Sequence, residues 1–278
     1  MYAWTPQQRA ETRPFWVVPL DKFGHGATLG PMLPIRDHNP SGRIPYVTYA
    51  LMALNIGIFI SYWPLFSDDR ALFEFYRNWA LFPVLVTQEG AYDTLFYSMF
   101  LHGGWMHLAG NMLFLWIFGD NIEDEMGSVP YLGFYLASGI GAGLVHVAAG
   151  PMSVVPTVGA SGAIAGVMGG YLLLFPKARV DILIIFVIFF KILPVPAWIM
   201  LALWFGFQLV GGFGSSADEG GVAYWAHAGG FIAGVLLTIP VFLRKGGRRF
   251  WAQTDGHPPH PEASYDYVLS RIPKVKRR

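Results

Sequence analysis

The sequence predicts an all-α integral membrane protein with six transmembrane helices. Hydrophobic residues make up 54% of its 278 residues and charged residues only 13%, whereas soluble domains carry about 25% charged residues. So few charges cannot cover a globular surface of this size, which excludes a soluble enzyme. The net charge of +1 gives no basis for nucleic-acid binding, and the absence of cysteine excludes disulfides, thiolate catalysis and cysteine-ligated metals.

Stretches without Asp, Glu, Lys or Arg locate the membrane spans, because a spanning helix needs ~20 mostly apolar residues. The charge-free stretches are 44–67, 94–119, 126–176, 192–217 and 220–243. The longest is predicted to hold two helices, separated where glycine and proline cluster at 150–156. The predicted spans are 46–66, 103–121, 129–149, 160–176, 196–213 and 223–243. Two apolar runs are too short to cross and are predicted to be interfacial or partly buried, 78–88 and 182–190.

The placement of lysine and arginine predicts the orientation. Seventeen of these residues fall on the side of the two termini, and only Arg70 and Arg77 fall on the opposite side. The positive-inside rule therefore places both termini in the cytoplasm. Residues 1–43 are predicted to be a cytoplasmic segment without a signal peptide, 44–243 the membrane core, and 244–278 a basic, disordered cytoplasmic tail on anionic lipid. The absence of an organelle-targeting segment favours a prokaryotic plasma membrane.

Strongly polar residues inside membrane spans are costly and mark functional sites. Spans two, four and six all enter from the outside, so their first turns share one depth. His107 and Asn111 in span two, Ser161 in span four and His227 in span six lie at this depth. Independent structural polar residues would have no reason to share one level on alternate helices. We therefore expect one site a short way below the outer surface.

Ser161 is the candidate nucleophile. It lies at a helix start in Gly159-Ala160-Ser161-Gly162, where its hydroxyl is exposed and free backbone N–H groups are near. That arrangement suits a nucleophile whose own N–H binds a developing oxyanion. The alternative is a helix cap or a small packing residue.

His227 is the candidate general base for Ser161. His227, Gly230 and Gly234 form one stripe on span six, and a similar stripe of small residues begins at Ser161 on span four. Two such stripes let helix backbones approach closely, which would bring the imidazole within reach of the hydroxyl. The alternative is an interhelical hydrogen bond without chemistry.

His107 and Asn111 are spaced i, i+4 and share one helix face, from which both side chains can donate hydrogen bonds to an oxyanion. Their alternative role is to join helices. His102 and His107 are poorly spaced for a metal, and no carboxylate lies at this depth, so we expect no metal and no cofactor. His146, in span three, is expected to be structural.

Three motifs together resemble the rhomboid family of intramembrane serine proteases over about residues 44–243. They are His107-xxx-Asn111, Gly159-Ala160-Ser161-Gly162 and Ala226-His227-xx-Gly230-xxx-Gly234. The resemblance implies a six-helix rhomboid-like bundle with Ser161 as nucleophile and His227 as general base. It implies an oxyanion site of His107, Asn111 and the Ser161 N–H. It also implies transmembrane protein substrates that are unwound near the outer face and admitted past span five.

The sequence departs from the family pattern at two places. Where members commonly carry Trp-Arg before the span-two histidine, this chain has Asp93 and Thr94, so the anchoring of that loop is expected to differ. Where some members place an aromatic ring against the histidine, this chain has Ala165, so another group must orient His227. Glu123 matches the family's acidic residue after span two, for which a structural role is expected.

Two other classes of protein are weighed against a protease. A non-catalytic rhomboid-like protein would bind transmembrane helices, but the presence of both Ser161 and His227 argues against it. A transporter or channel would more naturally need intramembrane Asp or Glu. The expected partners are therefore transmembrane protein substrates and the lipid bilayer, with no nucleic acid.

Overall fold

The computed structural model describes residues 32–186, 189–215 and 221–265, and within them the chain is mostly helical. Residues 1–31 of the expected N-terminal segment and the basic end at 274–278 lie outside the described residues. The helices in chain order are α1 (Tyr46–Tyr62), α2 (Asp69–Trp79), α3 (Pro83–Glu89), α4 (Thr94–Tyr97), α5 (Trp105–Met126), α6 (Ser128–Ala149), α7 (Ser161–Leu174), α8 (Ala197–Gly214), α9 (Tyr224–Arg244) and α10 (Arg248–Thr254).

Four helical segments are long and apolar enough to cross a membrane. Among the residues that the structure describes, these are Tyr46–Ser67, which continues α1 through a short 3₁₀ turn, and helices α6, α8 and α9. Helix α5 has 22 residues but ends in an acidic run from Asp120 to Glu125, and α7 has only 14 residues. The structure is therefore that of an integral membrane protein, and the crossing of α5 and α7 stays a prediction.

The all-α prediction is wrong in one respect, because the chain also forms a three-stranded antiparallel sheet. Its strands, in sheet order, are β1 (Met32–Asp37), β2 (Arg179–Phe186) and β3 (Phe189–Pro196). The β2–β3 hairpin contains the apolar run 182–190, which is rich in β-branched residues that favour strands. Strand β1 pairs with β2 across some 150 residues of sequence, and local composition does not reveal such a pairing.

The predicted disorder of the tail is also incorrect for its described part. Helix α10 forms there, and the chain after it packs along the sheet, where the Ala263 N–H donates to the His38 carbonyl at 3.0 Å. The Arg179 guanidinium also pairs with the Glu262 carboxylate, with its Nε 2.9 Å from Oε2. These contacts join segments that are distant in sequence, so the polar, proline-rich composition of the tail does not predict them.

Asp37 ties the sheet to the end of α7 opposite Ser161. Its carboxylate accepts from the Tyr171 hydroxyl at 2.8 Å and from the Asn121 amide at 3.0 Å. Burial, and then the nearby charge of Asp120, raise the pKa of Asp37 well above its usual value. Strand β1 is thereby attached to both α7 and α5.

Helix α7 is the centre of the core, and it meets α9 backbone to backbone. The α carbons of Gly230 and Gly234 lie against the carbonyl oxygens of Gly162 and Gly166, with no room for a side chain. Glycine permits this approach because it has no Cβ. The contact fixes the first turns of α7 and α9 beside each other.

Glu123 has a structural position near the end of α5. Its buried carboxylate accepts from the backbone N–H groups of Val47 and Thr48 at 2.9 and 2.8 Å, in the first turn of α1. It also accepts from the hydroxyls of Thr48 and Ser128 at 2.9 and 2.7 Å. Glu123, near the end of α5, therefore accepts hydrogen bonds from backbone N–H groups in the first turn of α1 that have no partner within their own helix.

Candidate active site

The structure brings Ser161 and His227 into hydrogen-bond contact. Ser161 is the first residue of α7 and His227 lies in the first turn of α9. The Ser161 Oγ and His227 Nε2 atoms are 2.7 Å apart. Because Nε2 accepts the hydroxyl proton in a productive pair, the neutral imidazole carries its own proton on Nδ1.

The other side of His227 faces helix α8, which sequence reasoning missed. The Gln208 Oε1 atom lies 2.8 Å from His227 Nδ1, and the Trp204 ring lies beside the imidazole with centroids 5.8 Å apart and planes tilted by 32°. These two groups contact the histidine on the α8 side, whereas position 165 on α7 is alanine and offers no ring. A signal was available, because Gln208 is the one amide or charged side chain in the predicted span 196–213.

His107 lies beside the serine, next to Gly159. The Gly103 N–H donates to His107 Nδ1 at 3.2 Å, so Nε2 carries the ring proton and is free to donate. Gly159 has φ +134°, and a Cβ there would stand 2.9 Å from His107 Nε2 and 3.5 Å from Ser161 Oγ. Only glycine fits this backbone conformation between the two side chains.

The side chain of Asn111 is hydrogen-bonded within its own helix. It is buried, and its amide nitrogen donates to the His107 carbonyl at 2.9 Å, within α5 itself. One of its two N–H groups is thus engaged by its own helix. Among the described contacts none joins Asn111 to Ser161, so its oxyanion role stays a prediction.

The serine and the two histidines of the site are more exposed than the two amide side chains beside them. Ser161, His227 and His107 are all half-buried, whereas Asn111 and Gln208 are buried. The protein therefore does not fully enclose the three side chains of the candidate site. Within the described parts of the chain, no cluster of three or more His, Asp or Glu residues is arranged to hold a metal ion.

The segment between α1 and α5 is anchored by its backbone. Leu81 and Thr157 form an antiparallel bridge, and the Gly159 N–H donates to the Ser98 carbonyl at 2.9 Å. Asp93 and Thr94, the two departures from the family pattern, only begin the short helix α4, where the Thr94 hydroxyl donates to the Ala91 carbonyl at 2.7 Å. The segment between α1 and α5 is thus hydrogen-bonded to residues 157–159, which lead into Ser161.

The helices and the site define a polytopic membrane protein that holds a serine hydroxyl against a histidine at the start of two adjacent helices. A family model described as Rhomboid domain matches residues 89–244. The chain therefore belongs to the rhomboid family.

Several relatives carry rhomboid names. The chain is 28% identical over 200 residues to "Rhomboid protein 1, mitochondrial" of Saccharomyces cerevisiae, covering 68% of this chain and 51% of the yeast protein. It is 27% identical over 245 residues to "RHOMBOID-like protein 5" of Arabidopsis thaliana, covering 77% of this chain and 75% of the plant protein. It is 33% identical over 159 residues to "Rhomboid protease GluP" of Bacillus subtilis, covering 57% of this chain and 28% of the bacterial protein. The chain thus spans about half the length of the yeast relative.

Proposed function

We propose that this rhomboid chain is an intramembrane serine protease that hydrolyses peptide bonds of membrane-anchored proteins through a Ser161–His227 dyad. The observation that carries the proposal is the 2.7 Å contact between Ser161 Oγ and His227 Nε2. A serine hydroxyl is a weak nucleophile until an adjacent base accepts its proton. The family includes relatives named as proteases.

The reaction follows from the two side chains. His227 Nε2 takes the hydroxyl proton as Ser161 Oγ attacks the scissile carbonyl, and the resulting imidazolium gives that proton to the leaving amine. An acyl group then remains on Ser161. Water, activated by the same imidazole, hydrolyses this ester and restores the hydroxyl.

The developing oxyanion needs donors that are already in place. The backbone N–H of Ser161 has no partner within its helix because it is the first residue of α7. The Nε2–H of His107 lies on the Gly159 side of the serine and is the second donor. Asn111 is the third candidate, through the amide N–H that does not bond the His107 carbonyl.

In the membrane, α1, α5, α6, α7, α8 and α9 are proposed as six spans with both termini in the cytoplasm. The distribution of lysine and arginine supports this orientation. Cysteines introduced at Ser67 and Ser264, both exposed, test it in this cysteine-free chain. An impermeant maleimide on intact cells should label position 67 and spare 264, and the opposite pattern would reverse the orientation.

The prediction of a prokaryotic plasma membrane rests on the sequence alone, because mitochondrial and bacterial relatives both match.

The decisive experiment compares wild type with Ser161→Ala. Purified wild type should react with a fluorophosphonate probe and cleave a test substrate with one transmembrane helix, and Ser161→Ala should do neither. Ser67→Ala, which removes an exposed hydroxyl elsewhere, should behave as wild type. Full cleavage by Ser161→Ala would refute the assignment. Binding of the helix without labelling or cleavage by wild type would favour the non-catalytic alternative.

A further inference from the structure

The histidine of the proposed dyad is hydrogen-bonded to Gln208, a side chain that takes no part in the proposed reaction. We propose that Gln208 is a positioning residue that fixes the tautomer and the ring orientation of His227. The proposal rests on the proposed function, because orientation matters for turnover only if His227 is the base. It concerns helix α8, which contributes no reacting group.

The hydrogen bonds of Gln208 determine which end of its amide faces the imidazole. Its Nε2 donates to the Trp204 carbonyl at 3.2 Å, one turn earlier in α8. The acceptor, Oε1, is thereby left facing His227 Nδ1 at 2.8 Å. A carbonyl oxygen accepts only, so Nδ1 must carry the proton.

One direction of proton donation satisfies all three groups. The Ser161 hydroxyl donates to His227 Nε2, His227 Nδ1–H donates to Gln208 Oε1, and Gln208 Nε2–H donates to the Trp204 carbonyl. With the amide reversed, Gln208 would donate to Nδ1, and the ring proton would move to Nε2. That tautomer points an N–H at the nucleophile and cannot accept its proton.

The imidazole of His227 also contacts a second side chain of α8, the indole of Trp204. Trp204 lies one turn before Gln208 in α8, and its indole lies beside the imidazole with ring centroids 5.8 Å apart and planes tilted by 32°. On the opposite helix, α7, position 165 is alanine and offers no ring. Both constraints on the imidazole therefore come from α8.

Burial makes the acceptor hard to replace. Gln208 is only 7% exposed, so water has little access to the position that its carbonyl occupies. An imidazole without this acceptor either leaves Nδ1–H unsatisfied or changes to the other tautomer. Both outcomes reduce the fraction of molecules in which Nε2 can accept the serine proton.

Two variants separate the acceptor from the shape of the side chain. Gln208→Met keeps a similar length and removes the acceptor, whereas Gln208→Glu keeps an acceptor facing Nδ1. Gln253→Met, at an exposed position of α10, is the matched control. For Gln208→Met we expect kcat to fall roughly 5- to 100-fold, in line with one lost hydrogen bond to a buried group, with a smaller change in KM. Gln208→Glu should recover most of kcat, and the control should match wild type.

A second readout does not depend on turnover. The ¹⁵N spectrum of histidine-labelled protein, with the His227 signals assigned by His227→Ala, should show the Nδ1-protonated tautomer in wild type and a mixture in Gln208→Met. Wild-type kcat and an unchanged tautomer in folded Gln208→Met would overturn the proposal, as would a loss that Gln208→Glu fails to restore. If wild type itself is inactive, the proposed function fails, and the tautomer comparison still decides the role of Gln208.

Discussion

Glu123→Ala should destabilise the protein strongly without impairing the chemistry. The carboxylate accepts four hydrogen bonds, two of them from backbone N–H groups that begin α1. Hydrogen bonds to a charged group contribute about 1.5–3 kcal/mol each, and because these four share one carboxylate their losses do not add. We expect a loss of about 3–5 kcal/mol, a large part of the ~5–15 kcal/mol that stabilises a typical protein.

The assay is thermal unfolding of the purified protein in detergent, together with kcat per folded molecule. A loss of this size should lower the melting temperature by roughly 5–9 °C. Turnover of the folded fraction should stay near wild type, since Glu123 and His107 are separated by about 24 Å along α5. The exposed Glu89→Ala is the control and should leave both quantities unchanged. A wild-type melting temperature with lost turnover would refute the structural role.

Three further outcomes are expected. Gly230→Ala should lower the melting temperature and kcat together, because its Cβ would overlap a carbonyl oxygen of α7, while Gly133→Ala, which faces open space, should be neutral or stabilising. Burial and the charge of Asp120 raise the pKa of Asp37, so the stability from this group is present at low pH and is lost as pH rises through the elevated pKa. The difference in melting temperature between wild type and Asp37→Asn, followed from about pH 4 to 8, should therefore shrink or reverse at the alkaline end. Asn111→Ala should reduce kcat far more than it raises KM if its second N–H serves the oxyanion, and unchanged kcat with a lower melting temperature would make it structural.

The helices could be predicted from the sequence because the information for them is local. Charge-free runs predict the long helices, two of them within the stretch 126–176, and the structure has helices at those places, α7 included. The approach of Ser161 and His227 was expected from their position in the first turns of two helices that were predicted to enter from the same side.

The sheet and the support of His227 could not be predicted in the same way. Strand β1 pairs with β2 across most of the chain, and the sequence of either strand alone does not specify its partner. Gln208 was overlooked because span five is predicted to enter from the other side, and the residue lies in the second half of α8 rather than at its start. An amide near the end of an otherwise apolar span is the pattern that would have revealed it.

In the proposed orientation, the shortness of α7 sets the depth of Ser161 in the membrane. Its 14 residues measure about 21 Å, whereas the hydrocarbon layer is ~30 Å thick. Tyr171, near the inner end of α7, is held to Asp37 of the sheet, so the shortfall accumulates at the other end. With the inner end of α7 at the inner edge of the hydrocarbon, Ser161 lies about 9 Å below the outer edge. In the proposed function, the contact between α7 and the sheet would therefore set how far into the membrane a substrate must present its peptide bond.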